Sequence, residues 1–111
     1  MSSSAFSEVE EKAREAMNIA NDKAATKLTT QFQSHLVRSG MSPDSARSCS
    51  VEYDQESEEF KPVLPDEVLN EALKNHQPPP LGIATQFFNH AQVAKIHDAA
   101  LLDASRKMGL I

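Results

Sequence analysis

Two histidines, His90 and His97, are the first candidates for metal binding or proton transfer. On a helix, a seven-residue separation brings both side chains to nearly the same face but places them about 10 Å apart. That distance is too great for two ligands of one metal ion, whose bonds are about 2 Å long. His97 and Asp98 are neighbours, so on a helix they point about 100° apart and cannot form an oriented base. The spacing favours histidines at the edge of a core or an interface, with a pH-sensitive contact or a metal site as alternatives.

The single cysteine, Cys49, has no second cysteine with which to form a disulfide within the chain or a cysteine-rich metal site. A catalytic thiol also needs an organised base, and no sequence motif supplies one. The three glycines are isolated from one another, which argues against a glycine-rich loop that cradles phosphate. We predict no catalytic residue, no metal site, no cofactor and no small-molecule ligand, so an enzyme is the least favoured class.

The strongest concentration of charge is the acidic run 52–59, which contains five acidic residues and no basic one. Like charges at this density oppose an isolated helix, so the sequence predicts a loop or a frayed helix. Two interpretations are open: a solvated loop, or a docking segment for a basic partner surface with aromatic anchors. The candidate partner-binding residues are Tyr53, Glu56, Glu58, Glu59 and Phe60 in this part of the chain, and Phe88 further on.

The overall charge and hydropathy argue against nucleic-acid and membrane partners. The formal net charge is −5, from 16 acidic and 11 basic residues, which disfavours binding to phosphate backbones. No stretch approaches the roughly 20 apolar residues that span a bilayer. Residues 1–4 lack the basic and apolar regions of a secretory signal. We therefore expect a cytoplasmic location or a place within a virus particle.

Residues 7–39 are predicted to form one long helix. Ser7 followed by Glu10 matches a capping box, and Gly40 is a natural stop. At 1.5 Å per residue the helix would be roughly 50 Å long, which exceeds the diameter of a compact domain of this mass. It must therefore bend or project into a partner. The apolar stripe that supports it recurs mostly every four residues, at Val9, Ala13, Ala16, Ala20, Ala24, Leu28, Phe32 and Leu36.

Prolines divide the middle of the chain into short segments. Ser42 followed by Pro43 predicts a helix start, so residues 42–63 should hold a short helix and then the acidic loop. Residues 65–76 should form another short helix that begins at a proline. The prolines of the segment 78–81 favour a stiff, extended spacer.

The last predicted helix, 83–108, is apolar over a wide arc, which indicates a helix that is central or clamped between two neighbours. Phe87 and Phe88 are adjacent and therefore point about 100° apart. We predict that Phe87 faces the core, while Phe88 covers a second surface of the same chain or of a partner. The main apolar stripe consists of Ile83, Phe87, Ala91, Ala94, Leu101, Ala104 and Met108.

These elements predict an all-α fold with at least half of the residues in helix: two long helices flanking a short helix or two and an acidic, proline-punctuated middle segment. The chain should be a single small helical domain or assembly subunit. The favoured function is a non-enzymatic interaction or assembly subunit of a larger complex, such as a virion or a multi-subunit machine. The alternative is a small acidic regulator or inhibitor that binds proteins, for example a viral antagonist of host defence.

Overall fold

The fold is mostly helical and contains one β-hairpin. A computed structural model describes residues 3–75, 79–88 and 92–111. Helix accounts for 71% of the structure, which confirms the predicted helical majority. The all-α prediction is wrong, because a two-stranded antiparallel sheet lies in the middle of the chain. The elements within the described ranges are α1 Ser3–Arg38, α2 Pro43–Arg47, β1 Ser50–Asp54, β2 Glu59–Val63, α3 Asp66–Lys74, α4 Pro80–Phe88 and α5 Gln92–Lys107.

Helix α1 is the axis on which the other elements pack. Its ridge of buried side chains, each no more than 1% exposed, consists of Ala16, Ala20, Ala24, Leu28, Phe32 and Leu36. Four residues turn a helix by about 400°, so this ridge winds around α1 by about 40° per step. One straight partner helix cannot follow it. Helix α5 packs on the alanine part, while β1, α2 and α4 cover the part from Leu28 onward.

Helix α5 runs antiparallel to α1. Ile96 belongs to the same buried cluster as Ala24, whereas Ala104, later in α5, packs with Ala16 and Ala20. Residues later in α5 therefore pack against residues earlier in α1. Alanine side chains let the two helix axes approach closely, but they bury little apolar area per residue.

The N-terminal part of α1 projects beyond the other elements. Residues 7–15 are all exposed, and the protein measures 65 × 21 × 21 Å. The predicted capping box is not the helix start, because α1 begins at Ser3 and Ser7 lies inside it. Neither glycine nor proline occurs between these two serines, so nothing there stops the helix. Long as α1 is, no helix in the described ranges combines the length and apolar character needed to cross a membrane.

The acidic run, predicted to be a loop or a frayed helix, lies within the hairpin: residues 52–54 and 59 are in its strands, and residues 55–58 form the turn between them. Strands β1 and β2 pair antiparallel, with Tyr53 opposite Phe60 and Glu52 opposite Lys61. Side chains alternate along each strand, so Tyr53 shares the inner face with the buried Val51. The acidic side chains of the strands occupy the outer face, where Lys61 lies among them. The strands were not predicted because a high density of like charge argues against a helix but not against a strand, where the acidic side chains can all lie on one solvated face.

Polar residues of α1 fasten the hairpin to the helix. The hydroxyl of Thr29 accepts a hydrogen bond from the Val51 N–H at 2.9 Å and lies 3.2 Å from the Val51 carbonyl oxygen, to which it donates. The side-chain amide of Gln33 donates to the carbonyl oxygen of Cys49 at 2.9 Å. These contacts satisfy strand groups that would otherwise lie against a helix without partners.

Asp54 organises the turn 55–58 between the strands. Its Oδ1 accepts from the Glu56 N–H at 3.0 Å, and its Oδ2 accepts from the Ser57 hydroxyl at 3.0 Å. The Lys61 ammonium lies 2.8 Å from the same Oδ2. Hydrogen bonding to Lys61, then to Ser57 and Glu56, lowers the pKa of Asp54 to about 2.

We expect the free energy of unfolding to fall between about pH 4 and pH 2, and Asp54→Asn to lack part of that decrease. The ionised Asp54 carboxylate stabilises the folded state above its unfolded pKa of about 3.9. This contribution is lost as the pH falls through about 2. Urea unfolding of both proteins at pH 5 and pH 2.5 measures the difference. An identical pH dependence in the two proteins would mean that Asp54 does not anchor the hairpin.

The short helices begin at serine and proline signals. In α2 the Ser42 hydroxyl accepts a hydrogen bond from the Ser45 N–H at 3.3 Å, as the sequence predicted for an N-cap. Helix α4 already begins at Pro80, so the predicted extended spacer 78–81 is helical at its end. Proline fits a first helical position because its missing N–H has no intrahelical partner there. His76 and Pro78, within predicted segments, lie outside the described residues.

The predicted helix 83–108 corresponds to α4 and α5, which begin and end within a few residues of its bounds. Residues 89–91 between the two helices lie outside the described residues, and with them His90 and Ala91. Of the predicted stripe, Ile83, Phe87 and Ala104 are buried, Leu101 and Met108 are half-buried, and Ala94 is exposed. The buried face of α5 therefore spans a narrower arc of the helix than the predicted apolar stripe.

Candidate partner-binding cleft

An open cleft of about 550 Å³ lies where the hairpin meets α1, the end of α4 and the beginning of α5. We call it the aromatic cleft. Its volume falls within the range of about 300–1,000 Å³ that is common for ligand sites. The described residues that line it are Met17 from α1, Tyr53, Glu58 and Phe60 from the hairpin, Phe88 from α4, and Val93, Ala94 and His97 from α5.

Three aromatic rings meet at steep angles in this cleft. Tyr53 and Phe60 are cross-strand partners whose ring centroids lie 5.1 Å apart, with the planes at 64°. The Phe60 ring lies 5.3 Å from the His97 imidazole, with the planes at 68°. Such edge-to-face contacts match the positive edge of one ring to the negative face of the next. All three residues are half-buried, so part of each remains at the surface of the cleft.

A buried asparagine fixes the position of His97. Oδ1 of Asn21 lies 2.8 Å from Nε2 of His97, which donates a hydrogen bond to it. Asn21 is 6% exposed, and a buried amide without a hydrogen bond would cost free energy. The contact therefore holds the imidazole at the edge of the core. His90, which the sequence analysis considered together with His97, lies outside the described residues.

Phe87 and Phe88 divide between the core and the cleft. Phe87 is 8% exposed, and its ring centroid lies 5.3 Å from that of the fully buried Phe32. Phe88 is half-buried, with its centroid 5.8 Å from Phe32 and 5.1 Å from Phe87. One side of the Phe88 ring thus packs on the core while the residue also lines the cleft. Both rings therefore pack on Phe32, and Phe88 differs from Phe87 in that it also lines the cleft.

Glu58 reaches the cleft from an unusual backbone conformation. Its φ of 56° lies in the left-handed region, where residues other than glycine, asparagine and aspartate are uncommon. It is the last residue of the turn, directly before β2. Among the described residues that line the cleft, it is the only one with a carboxylate, and none is a lysine or arginine.

The cleft brings together four of the six predicted partner-binding residues: Tyr53, Glu58, Phe60 and Phe88. Glu56 lies exposed in the turn, and Glu59 stands opposite Asp54 in the strand pair, so neither lines the cleft. The apolar lining residues Met17, Val93 and Ala94 were not predicted as partner-binding residues. No local pattern identifies them, because only the packing of the hairpin against α1 and α5 groups them.

Among the described residues, the other candidates for chemistry do not gather into a metal site. Burial raises the pKa of the Cys49 thiol, which holds it in the protonated, weakly nucleophilic form. Its sulfur lies 3.5 Å from the Ser45 carbonyl oxygen, to which it donates. Within the described residues, no three histidine, cysteine, aspartate or glutamate side chains are grouped as a metal site requires.

No protein-family model, curated protein or solved structure matches the chain. Aromatic surface, a carboxylate and a fixed imidazole in an open concavity can recognise a side chain or short segment that is apolar or cationic.

Proposed function

We propose that the protein is a non-enzymatic interaction or assembly subunit that binds a partner protein through the aromatic cleft. The proposal rests on one observation: three half-buried aromatic side chains and one carboxylate line the same open cleft. They are Tyr53, Phe60, Phe88 and Glu58. Aromatic side chains in partly desolvated concave positions supply much of the energy of protein interfaces. Because the cleft is open, a segment of a second protein has access to them.

The charge of the hairpin supports a basic partner surface. Residues 50–63 carry five acidic side chains and a single lysine, Lys61, which is already paired with Asp54. Glu58 lines the cleft, and the other acids lie on the outer face or in the turn of the hairpin, so the hairpin beside the cleft is negative as a whole. The potential of such a segment steers basic surfaces during encounter and disfavours acidic ones.

Two other features support a place in a larger assembly. The N-terminal part of α1 projects without cover from its own chain. Leu73 and Leu81, 77% and 60% exposed, line an apolar groove between α3 and α4. Exposed apolar side chains that share a groove are more typical of an interaction surface than scattered single ones.

Ala94→Lys should abolish partner binding, whereas Ala99→Lys should leave it unchanged. Both alanines lie exposed on α5, and lysine is a good helix former, so neither change should disturb the fold. Only Ala94 lines the cleft, where a lysine adds both a long side chain and a positive charge. Both variants shift the net charge equally, which makes Ala99→Lys a matched control.

The measurement is capture from the native source with wild type and both variants, followed by quantitative mass spectrometry. We expect a partner at fixed stoichiometry with wild type and Ala99→Lys, and its loss with Ala94→Lys. Retention of every specific partner by Ala94→Lys would contradict binding through the cleft. Circular dichroism of the three proteins verifies that their helical content is the same.

A further inference from the structure

The lining of the aromatic cleft has the features of a site for a cation. The Phe60 ring contacts Tyr53 and His97, with ring planes at 64° and 68°. These three inclined rings, which we call the ring corner, belong to residues that line the cleft. The face of an aromatic ring carries negative potential and attracts a cation within about 6 Å of its centroid. Glu58 contributes a full negative charge to the same lining, in which the described residues include no lysine or arginine.

We propose that the cleft binds an arginine side chain of the partner protein, with the guanidinium stacked at the ring corner and paired with the Glu58 carboxylate. This inference rests on the proposed function, to which it adds the chemical group that the cleft recognises. It assigns a separate role to each part of the lining. The rings bind the planar cation, and Glu58 neutralises it.

Arginine fits this lining better than lysine does. The guanidinium is planar, stacks on aromatic faces and is less strongly hydrated than an ammonium group, so transfer into a partly apolar cleft costs less. Its fork of N–H donors matches a carboxylate in a bidentate pair. The apolar side chains of Met17 and Val93 provide surface for the methylene stem. The volume of about 550 Å³ also leaves room for the flanking backbone of the partner.

The turn conformation places Glu58 at the cleft. The last residue of a hairpin turn commonly adopts positive φ, and Glu58, directly before β2, has φ 56°. Of the two acids of the turn, Glu58 lines the cleft and Glu56 does not.

The test is a titration of the ¹⁵N-labelled protein with the peptide acetyl-Gly-Arg-Gly-amide, followed by NMR. Matched peptides carry lysine or the neutral isostere citrulline in place of arginine. We expect shifts at Glu58, Phe60 and His97, with binding by the arginine peptide about tenfold tighter than by the citrulline peptide and tighter than by the lysine peptide. Glu58→Gln should weaken binding of the arginine peptide severalfold, whereas Glu56→Gln should not.

Equal binding of the arginine and citrulline peptides would overturn the inference, because it would show that the charge is not recognised. A preference for the lysine peptide, unchanged binding by Glu58→Gln, or no cleft shifts with any of the peptides would overturn it as well. These outcomes are distinct from failure of the proposed function. If Ala94→Lys loses the partner but the arginine peptide does not bind, the cleft is an interface that recognises another group.

Discussion

Phe87→Ala should destabilise the fold far more than the same change at its neighbour Phe88. Phe87 is buried against Phe32 in the main core cluster, and truncation of a buried phenylalanine costs about 3–5 kcal/mol. That is a large part of the roughly 5–15 kcal/mol that stabilises a whole domain. Phe88 is only half-buried, so its truncation should cost about 1–2 kcal/mol and should mainly remove a wall of the aromatic cleft.

Urea unfolding and partner capture, measured in parallel on both variants, separate these effects. Phe87→Ala should lower the free energy of unfolding strongly. Without denaturant, at a temperature where this variant is still folded, it should retain partner binding. Phe88→Ala should lose binding, while its unfolding midpoint falls clearly less than that of Phe87→Ala. Equal destabilisation by the two changes would show that Phe88 serves the core, and the cleft would lose one of its three predicted aromatic anchors.

The helices could be predicted from sequence because their signals are local. The four-residue recurrence that ends at Leu36 identified α1 and its whole buried ridge, although Val9 and Ala13 at its beginning are exposed. Gly40, with φ 110°, follows the end of this helix because glycine adopts the left-handed conformation at little cost. Ser42 and Pro43 likewise mark α2 by a cap and a first-turn proline. Each of these signals lies within one or two turns of the element it defines.

The hairpin was missed because its signals are weak and conflict with one another. The turn contains none of the Asn-Gly or Asp-Gly pairs that announce a tight hairpin, and Glu58 adopts positive φ in place of a glycine. Pro62 argues against a strand, although an edge strand tolerates it. The signal that was present is the alternation around Tyr53 and Phe60, where an aromatic residue stands between charged neighbours.

The aromatic cleft was predictable only in part, for a different reason. Tyr53 and Phe60 stood out as aromatic residues in an acidic segment, and Phe88 as one of two adjacent phenylalanines. Their common location depends on the packing of α4 on α1 and on the anchoring of β1 by Thr29. These are contacts between distant parts of the chain, which no short sequence pattern encodes.

Ala20→Leu should separate α5 from α1 and disturb the cleft at a distance. Ala20 is fully buried in the same cluster as Ala104, so the helices meet through side chains of the smallest apolar size. Extra methylenes in such a contact cost about 1–3 kcal/mol. Leucine is nearly as good a helix former as alanine. The loss of stability would therefore come from the contact between α1 and α5 and not from a lower helix propensity of α1. Because α5 carries Val93 and His97 into the cleft, partner binding should weaken together with stability.

Ala13→Leu is the matched control, since it makes the same change on the same helix at an exposed position. It should leave the urea midpoint and partner binding unchanged, while Ala20→Leu lowers both and shifts the backbone amide resonance of His97. If Ala20→Leu unfolds at the wild-type midpoint, α5 must tolerate a wider separation from α1. In that case the alanine contact would not determine where α5 lies, and the position of His97 would depend mainly on its hydrogen bond to Asn21.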